Sequence, residues 1–222
     1  MRRRLLARLH PEGIPWPGTI LYNRVSRTFI FRDHYRLVTE DIASRCPQGS
    51  LLDVGTGPAW LLKKIHRRCP DVRLTGVDVS AAMVAQARRN MTRAGLADAV
   101  AIEVASAEKL PFADGSFDTV ISTGSVHHRK DAARGLQEVH RVLRPGGLAL
   151  LYDLVKDLLA EVAKDLVRKY GRFRTVLLWL HTFEEPFRTV EDFASLARAT
   201  PFGAGQVRFV GAFCCLELAK VK

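Results

Sequence analysis

The stretch Leu51 to Trp60, LLDVGTGPAW, has two glycines directly after a short apolar run. The run predicts a buried strand, and Gly55 and Gly57 permit the sharp turn from strand into helix that nucleotide-binding loops share. A dinucleotide loop has a further glycine at the position of Trp60, where an indole would obstruct the pyrophosphate. A P-loop is also excluded, because no Gly-Lys-Ser or Gly-Lys-Thr follows. The stretch therefore favours a ligand that carries adenosine without phosphates.

The sequence around this loop alternates short apolar runs with amphipathic stretches. The apolar runs predict five strands, SLLDVG, VRLTGVDV, AVAIEVA, FDTVIST and GLALLYDLV. Helical spacing predicts helices in LVTEDIASR (Leu37 to Arg45), AWLLKKIHRR, AAMVAQARRNMTRAG behind a Ser80 cap, and DAARGLQEVHRVL. Strands that alternate with helices pair in parallel, so the predicted fold is a doubly wound α/β sheet. Ligands bind such sheets at the carboxyl ends of the strands.

The composition suits one globular domain. Of 222 residues, 47% are hydrophobic and 26% charged, which is enough for an ordinary core. The four cysteines have neither C-x-x-C pairs nor zinc-like spacing with the seven histidines, which predicts reduced thiols and no structural metal. The basic start MRRRLLARLHPEG lacks the apolar run of a signal peptide, and TVLLWL is too short to cross a bilayer. We therefore expect a cytoplasmic protein.

The net charge of +11 is the one unusual feature of the composition. Such a charge suggests nucleic acid or an anionic surface as a partner. The basic residues are dispersed, however, and no RNA-binding motif occurs, so solvated helix faces explain the charge about as well. Nucleic acid is therefore a candidate partner that the pattern does not favour. The segment MRRRLLAR is a candidate for peripheral contact with anionic membrane lipid.

Four stretches between about Leu51 and Tyr152 resemble the motifs of class I S-adenosylmethionine-dependent methyltransferases, of the methyltransferase type 11-like group. In order they are LLDVGTGPA, LTGVDVS, ASAEKLPFADGSFDTVIS and EVHRVLRPGGLALL. Four blocks in the family's order and spacing are far more specific than one glycine pair. The resemblance implies a Rossmann-like seven-stranded sheet with an antiparallel C-terminal hairpin, here GQVRFVGAFCCLELAKV. The implied cofactor is S-adenosyl-L-methionine, and its product is S-adenosyl-L-homocysteine.

Acidic residues in two of the predicted strands are candidates to hold this cofactor. Asp78 follows Gly57 by 21 residues, where a strand-end carboxylate can accept hydrogen bonds from both ribose hydroxyls. The alternative role, a cap on the next helix, suits Ser80 better. Asp53 lies in an apolar strand, where a buried carboxylate needs a partner. The resemblance implies that this partner is the methionine ammonium.

Two positions depart from the family's pattern. Ala59 replaces the third glycine of the loop, and we expect it in the first helical turn with a negative φ. Ser106 replaces an acidic residue that binds the adenine amine, so Ser106 should bind it more weakly, with Ala107 and Glu108 beside the ring. The complete set of predicted cofactor contacts is Asp53, Gly55, Thr56, Gly57, Asp78, Val79, Ser106, Ala107, Glu108 and Thr123, with Tyr22 as a further candidate.

The loop STGSVHHRKD follows the fourth strand and, in the family, faces the sulfonium. Its candidate catalytic residues are His127 and His128, because an imidazole titrates near neutrality and can act as a general base. The alternative is that one of them caps the next helix or bridges backbone groups. Tyr22 resembles a tyrosine that closes over the cofactor, although a lone tyrosine more often serves in packing.

The resemblance also suggests a division of the chain. Residues 1–36 form an N-terminal basic arm or lid, and residues 37–222 form a single methyltransferase domain with a helical insertion at about 156–188. The aromatic residues of these segments line an apolar acceptor pocket or pack in the core; they are Phe29, Phe31, Phe173, Trp179 and Phe183.

The predicted function is in-line methyl transfer to a small-molecule acceptor, in which the protein contributes mainly alignment. The basic charge keeps an RNA or protein methyltransferase as an alternative. Many of those enzymes carry a tetrapeptide such as N-P-P-Y after the fourth strand, where this sequence has STGS. A cofactor-binding protein without catalysis is a third interpretation, because Ala59 and Ser106 are altered.

Overall fold

A seven-stranded sheet forms the centre of the protein. The computed structural model describes residues 20, 23, 29–45, 49–128, 131–173, 175–176 and 187–221. The strands are β1 (Ser50–Val54), β2 (Arg73–Asp78), β3 (Val100–Val104), β4 (Phe117–Thr123), β5 (Leu143–Asp153), β6 (Gln206–Val210) and β7 (Phe213–Ala219). Their order is β3-β2-β1-β4-β5-β7-β6, with β7 antiparallel to β5 and β6 and all other pairs parallel. The predicted Rossmann-like sheet and its antiparallel hairpin are confirmed.

Helices cover both faces of this sheet. They are α1 (Phe29–Arg45), α2 (Trp60–Arg68), α3 (Ala81–Arg93), α4 (Ala132–Val142), α5 (Ala160–Tyr170) and α6 (Val190–Ser195). The predicted cap of α3 is confirmed, because the Ser80 hydroxyl accepts a hydrogen bond from the Met83 amide. Helix α5 falls within the segment predicted as an insertion. None of the helices among the described residues is long and apolar enough to cross a membrane.

Helix α1 begins earlier than the sequence pattern predicts. The predicted helix starts at Leu37, whereas the observed helix starts at Phe29. The buried stripe of α1 consists of His34, Val38 and Ile42, which are spaced four residues apart and are 4%, 0% and 1% exposed. A search for apolar residues at helical spacing misses the start of this stripe, because its first buried residue, His34, is polar.

The two faces of the sheet support two separate parts of the core. Consecutive residues of β1 alternate between them: Leu51 packs with α1, α2 and α3, whereas Leu52 packs with α4 and α6. The winding reverses between β1 and β4, which are direct neighbours in the sheet. The loops that follow β1, β2 and β4 therefore meet at one edge, where ligands of such folds bind.

Helix α1 is held on the sheet by a partly buried charge pair between Asp41 and Arg208. Both terminal nitrogens of Arg208 donate to the Asp41 carboxylate at 2.7 Å. The Tyr152 hydroxyl donates to the same carboxylate at 2.6 Å, and burial raises the pKa of this phenol well above its usual range. These charge-assisted contacts join α1 to β5 and β6 and hold the helix on the sheet.

The described cysteines are free thiols, as predicted. Cys214 and Cys215 lie in the core, and burial raises the pKa of each thiol to about 12. They stay protonated near neutral pH and are poor nucleophiles. Cys46 lies outside the described residues.

Candidate cofactor site

The glycine-rich loop turns sharply between β1 and α2. Gly55 and Gly57 have φ angles of 84° and 54°, which only glycine adopts without strain. The amides of Gly55 and Thr56 both donate to the Val77 carbonyl, at 2.8 and 2.9 Å. A side chain on Gly55 would also collide with Ser125. The loop therefore presents its backbone closely to whatever binds there.

Ala59 has a conformation that differs from the expectation. It precedes α2 as the N-cap residue with φ 61° and ψ 25°, in the left-handed region, so the expected negative φ is wrong. This left-handed backbone explains why the family's loop has a third glycine here. Glycine adopts the conformation without strain, whereas it costs an alanine about 1–2 kcal/mol. The methyl group is fully buried, and its burial offsets part of that strain.

Asp78 ends β2 and faces the same loop. One carboxylate oxygen accepts from the Gly57 amide at 3.0 Å, and the other accepts from the Ser80 amide at 2.9 Å. Burial raises the pKa of Asp78, although these two hydrogen bonds oppose the rise. The carboxylate is thus held at the mouth of the loop, and each oxygen keeps a second lone pair for a ligand. The next residue, Val79, is 41% exposed.

A pocket opens beside the loop. Its lining brings together five of the predicted cofactor residues with side chains from α1 and α2 that the sequence analysis missed. The lining residues are Tyr35, Asp53, Gly55, Thr56, Gly57, Pro58, Leu61 and Thr123.

Two hydroxyls of this pocket suit a polar ligand. The Oγ1 atoms of Thr56 and Thr123 are buried and have no hydrogen-bond partner among the described residues. A buried hydroxyl without a partner is costly, which favours a ligand that supplies one. Asp53, which is 2% exposed, adds a carboxylate suited to an ammonium group. The residues present therefore fit the amino-acid end of S-adenosylmethionine.

The tyrosine at this pocket is Tyr35, which α1 contributes. Tyr22, the predicted tyrosine, lies outside the described residues. Tyr35 gave no motif signal, because only the packing of α1 on the sheet brings it to the loop. Helix α1 also runs through the predicted boundary between residues 36 and 37, so the division into arm and domain stays a prediction.

Ser106, Ala107 and Glu108 lie in a turn after β3, outside the pocket lining. The Ser106 hydroxyl accepts from the Glu108 amide at 3.2 Å. One Glu108 oxygen accepts from the Asp131 amide at 3.1 Å. These bonds order the turn beside Val104, whose Cα pairs with that of Asp78 and whose side chain is 52% exposed.

His127 lies in a buried pair with Asp153, which the sequence analysis did not identify. Its ring Nδ1 is 2.7 Å from one Asp153 oxygen, and its amide donates to the other at 2.9 Å. The ring also stacks on Phe187, with centroids 4.0 Å apart. His127 and Asp153 are 7% and 2% exposed. His128 follows in the same turn, Val126–His128. The only sequence signal for Asp153 is its position near the end of a predicted strand, GLALLYDLV.

Comparisons with known proteins show which class of protein the chain is similar to. A protein-family model described as methyltransferase domain matches residues 52–151. The ubiquinone/menaquinone biosynthesis C-methyltransferase UbiE of Geotalea daltonii is 34% identical over 132 residues, 59% of this chain and 56% of that protein. The demethylmenaquinone methyltransferase of Chlorobaculum parvum is 32% identical over 60% of this chain and 58% of its own length.

A solved structure extends the likeness to the whole fold. The crystal structure of a protein from Methanococcus maripaludis, described as an S-adenosylmethionine-dependent methyltransferase, covers 96% of this chain and 95% of its own. The TM-score is 0.74 at 21% identity, which shows the shared fold.

The chain thus resembles class I S-adenosylmethionine-dependent methyltransferases: residues 52–151 match the methyltransferase-domain model, and the fold is shared with a solved structure of that description. S-adenosylmethionine is the cofactor of this class. The chain spans about half the length of the curated relatives it matches, 56%, 41% and 45% for three UbiE proteins.

Proposed function

We propose that the protein transfers a methyl group from S-adenosylmethionine to a small-molecule acceptor at the pocket beside the glycine-rich loop. The observation that carries this proposal is the pair of buried hydroxyls of Thr56 and Thr123, which line one pocket beside a glycine-rich loop that lacks the lysine of a P-loop. The bound cofactor supplies a methyl group already activated on a sulfonium. Alignment and exclusion of water are then the main tasks of the protein.

The methionine end of the cofactor is assigned to the pocket lining. Asp53 accepts from the ammonium group, and the hydroxyls of Thr56 and Thr123 bind the adjacent polar atoms. Gly55 and Gly57 let the ligand approach the backbone, because they carry no side chain at the turn. Tyr35 covers the pocket from α1, the role that the sequence analysis assigned to Tyr22.

The ribose and the adenine are assigned to the ends of β2 and β3. Asp78 accepts hydrogen bonds from the ribose hydroxyls with the lone pairs that Gly57 and Ser80 leave. Val79 is exposed beside it, and an adenine ring packed there would remove apolar surface from water. Ser106, Ala107 and Glu108 belong to the neighbouring turn and contribute the remaining contacts of the ring.

His127 is the proposed general base when the acceptor must lose a proton. With a proton on Nδ1 directed at Asp153, the other ring nitrogen, Nε2, carries the lone pair that takes the proton. The Asp153 carboxylate would stabilise the imidazolium that results. His128 keeps the same predicted role, as the second imidazole of the loop.

The acceptor proposed here is an aromatic, quinone-like ring. One relative is named for ubiquinone and menaquinone biosynthesis, and another is named a demethylmenaquinone methyltransferase. The basic arm MRRRLLAR would bring the protein to anionic lipid, where such acceptors dissolve. A cytoplasmic, peripheral location fits this proposal. RNA and protein acceptors remain the second candidate, supported by the net charge of +11.

Methyl-labelled S-adenosylmethionine tests the proposal directly. The protein is incubated with the label and, in parallel, a lipid extract, a demethylated quinol panel and total RNA. We expect label in the lipid or quinol fraction. Label in RNA alone would contradict the acceptor class, and cofactor binding without any labelled product would favour a binding protein.

A further inference from the structure

Arg188 places a positive charge beside the turn that carries His127. It is partly buried, and its guanidinium donates to the Val126 carbonyl at 3.3 Å. Val126 directly precedes His127 in the turn Val126–His128. Phe187, the neighbour of Arg188 in the chain, stacks on the His127 ring with centroids 4.0 Å apart. Two consecutive residues therefore contact the turn that holds the proposed base.

The backbone of Arg188 is fixed near the carboxyl end of β5. Arg188 forms a parallel β-bridge with Val155, and its carbonyl accepts from the Lys156 amide at 3.0 Å. These two residues follow closely after Asp153, the last residue of β5 and the partner of His127. Main-chain contacts thus hold Arg188 near the His127–Asp153 pair, and a change of its side chain would leave them in place.

The charge of Arg188 is not neutralised by the part of the chain that the structure describes. Arg141 and Arg208 each form ion pairs with carboxylates, whereas no described aspartate or glutamate pairs with Arg188. A guanidinium has five N–H donors in a planar fork that suits anionic oxygens, and the Val126 carbonyl accepts from only one of its nitrogens. A partly buried cation without a counter-ion is costly, which favours an anionic ligand.

The cofactor of the proposed function adds to this positive charge. S-adenosylmethionine carries a cationic sulfonium, and His127 becomes a further cation when it takes a proton. An acceptor with an anionic oxygen is attracted by these charges, whereas a cationic amine is repelled. The electrostatics of the turn therefore favour an acidic acceptor.

We infer that Arg188 is a specificity-determining residue, which binds an ionised oxygen of the acceptor, a phenolate or a carboxylate, beside His127. The inference rests on the proposed function, because it takes the cofactor pocket and His127 as the site of transfer. For a phenol the two residues have separate tasks. The O–H bond breaks and its proton goes to Nε2 of His127, and Arg188 holds the phenolate oxygen that results.

Binding of aromatic probes to the complex with S-adenosylhomocysteine tests this role without turnover. Calorimetry compares para-nitrophenolate with para-nitroanisole, and para-nitrobenzoate with its methyl ester; each pair differs in the anionic oxygen. We expect the wild type to bind at least one anion about 10-fold or more tightly than its neutral partner, the value of one hydrogen bond to a charged group. The pair that shows this preference distinguishes a phenolate site from a carboxylate site.

Substitutions distinguish recognition of charge from a structural brace. Arg188→Gln should abolish the preference for the anion, while Kd for the neutral probe and for S-adenosylhomocysteine changes less than about 3-fold, because the main-chain contacts remain. Arg188→Lys keeps a positive charge without the planar fork and should retain part of the preference. Arg198→Gln, at an exposed position after α6, is the matched control and should bind like the wild type.

The outcomes separate this inference from the function on which it rests. Equal losses of anionic and neutral binding in Arg188→Gln would mean that Arg188 only braces the Val126 carbonyl, which would overturn the inference. A wild type that binds S-adenosylhomocysteine but prefers neither anion would also overturn it and would leave the cofactor pocket standing. A wild type that does not bind S-adenosylhomocysteine would contradict the proposed function, and the inference would fall with it.

Discussion

Asp153 accepts two hydrogen bonds from His127, one from the backbone amide and one at the ring Nδ1. This double contact fixes both the position of the loop after β4 and the orientation of the imidazole. The pair is almost fully buried, and Phe187 stacks on the ring. The arrangement suits either a base held in one tautomer or a structural brace, and the two roles make different predictions.

Substitution of His127 by asparagine separates these roles. An asparagine amide can still donate to Asp153 from the place of Nδ1, but it cannot accept a proton. We expect kcat to fall about 100-fold or more while the Kd for S-adenosylhomocysteine changes less than about 3-fold, because the base acts on the acceptor alone. Near-normal kcat in His127→Asn would mean that the histidine is only a brace.

Asp78→Asn tests the ribose assignment. Both Asp78 oxygens accept from amides, so an asparagine would direct its NH₂ at one of these donors and offer fewer acceptors to the ribose. We expect the Kd for S-adenosylhomocysteine to rise about 10-fold or more. Asp71→Asn, at an exposed position outside the pocket lining, is the matched control and should bind normally.

The affinity of the wild type for S-adenosylhomocysteine should also depend on pH, because protonation of Asp78 weakens it as an acceptor. Burial raises the pKa of this carboxyl above its ordinary 3.8, and the ionised form is the better acceptor for ribose hydroxyls. Affinity should therefore be constant well above the raised pKa and fall as the pH is lowered through it. A Kd that is independent of pH down to 4, with the fold intact by circular dichroism, would contradict the assignment.

Ala59→Gly should change the free energy of unfolding by less than about 1 kcal/mol. Glycine relieves about 1–2 kcal/mol of left-handed strain, and loss of the buried methyl group and the added chain entropy offset that gain. Ala87 is equally buried but lies within α3, so Ala87→Gly loses the methyl group and helix propensity and should cost about 2 kcal/mol. Urea titration of both variants measures the contrast; equal losses at the two positions would mean that Ala59 is not strained.

Asp33 should stabilise the contact between α1 and α5 in a pH-dependent way. Burial would raise the pKa of its carboxyl, but hydrogen bonds from Lys169, Tyr170 and Arg36 outweigh burial and hold the pKa well below its usual value. Because the folded pKa is lowered, this stabilisation is present above pH 3.8, the unfolded value, and declines as the pH falls below it.

Thermal unfolding of Asp33→Asn checks this expectation. The variant should have a lower melting temperature than the wild type at pH 7, and the difference between the two melting temperatures should be smaller at pH 3. Asp165 forms an exposed ion pair with Arg168 in α5, so Asp165→Asn is the matched control and should melt like the wild type at both values. A gap that widens as the pH falls would contradict the account of Asp33.

Local pattern was sufficient to predict the sheet, the Ser80 cap and the glycine-rich loop. Apolar runs, helical spacing and cap residues are properties of neighbours in the chain, and they specify strands, helices and their ends. The family resemblance then supplied the antiparallel hairpin and the cofactor. These features are the ones that the structure and the comparisons confirm.

The features that local pattern missed depend on contacts between distant residues. Asp153 meets His127 only because β5 lies beside β4 in the sheet, and Tyr35 reaches the pocket only because α1 packs against α2. The φ of Ala59 could not be predicted from composition either, because the loop geometry imposes it against the preference of alanine. Trp60 looked like an obstruction until the fold brought Asn23 to its N–H.

A crystal structure of the complex with S-adenosylhomocysteine tests the central claim most directly. The account predicts the ribose hydroxyls within hydrogen-bond distance of the Asp78 carboxylate and the amino-acid end against Asp53, Thr56 and Thr123. A ligand bound elsewhere, or the two ends of the ligand reversed along the loop, would contradict it.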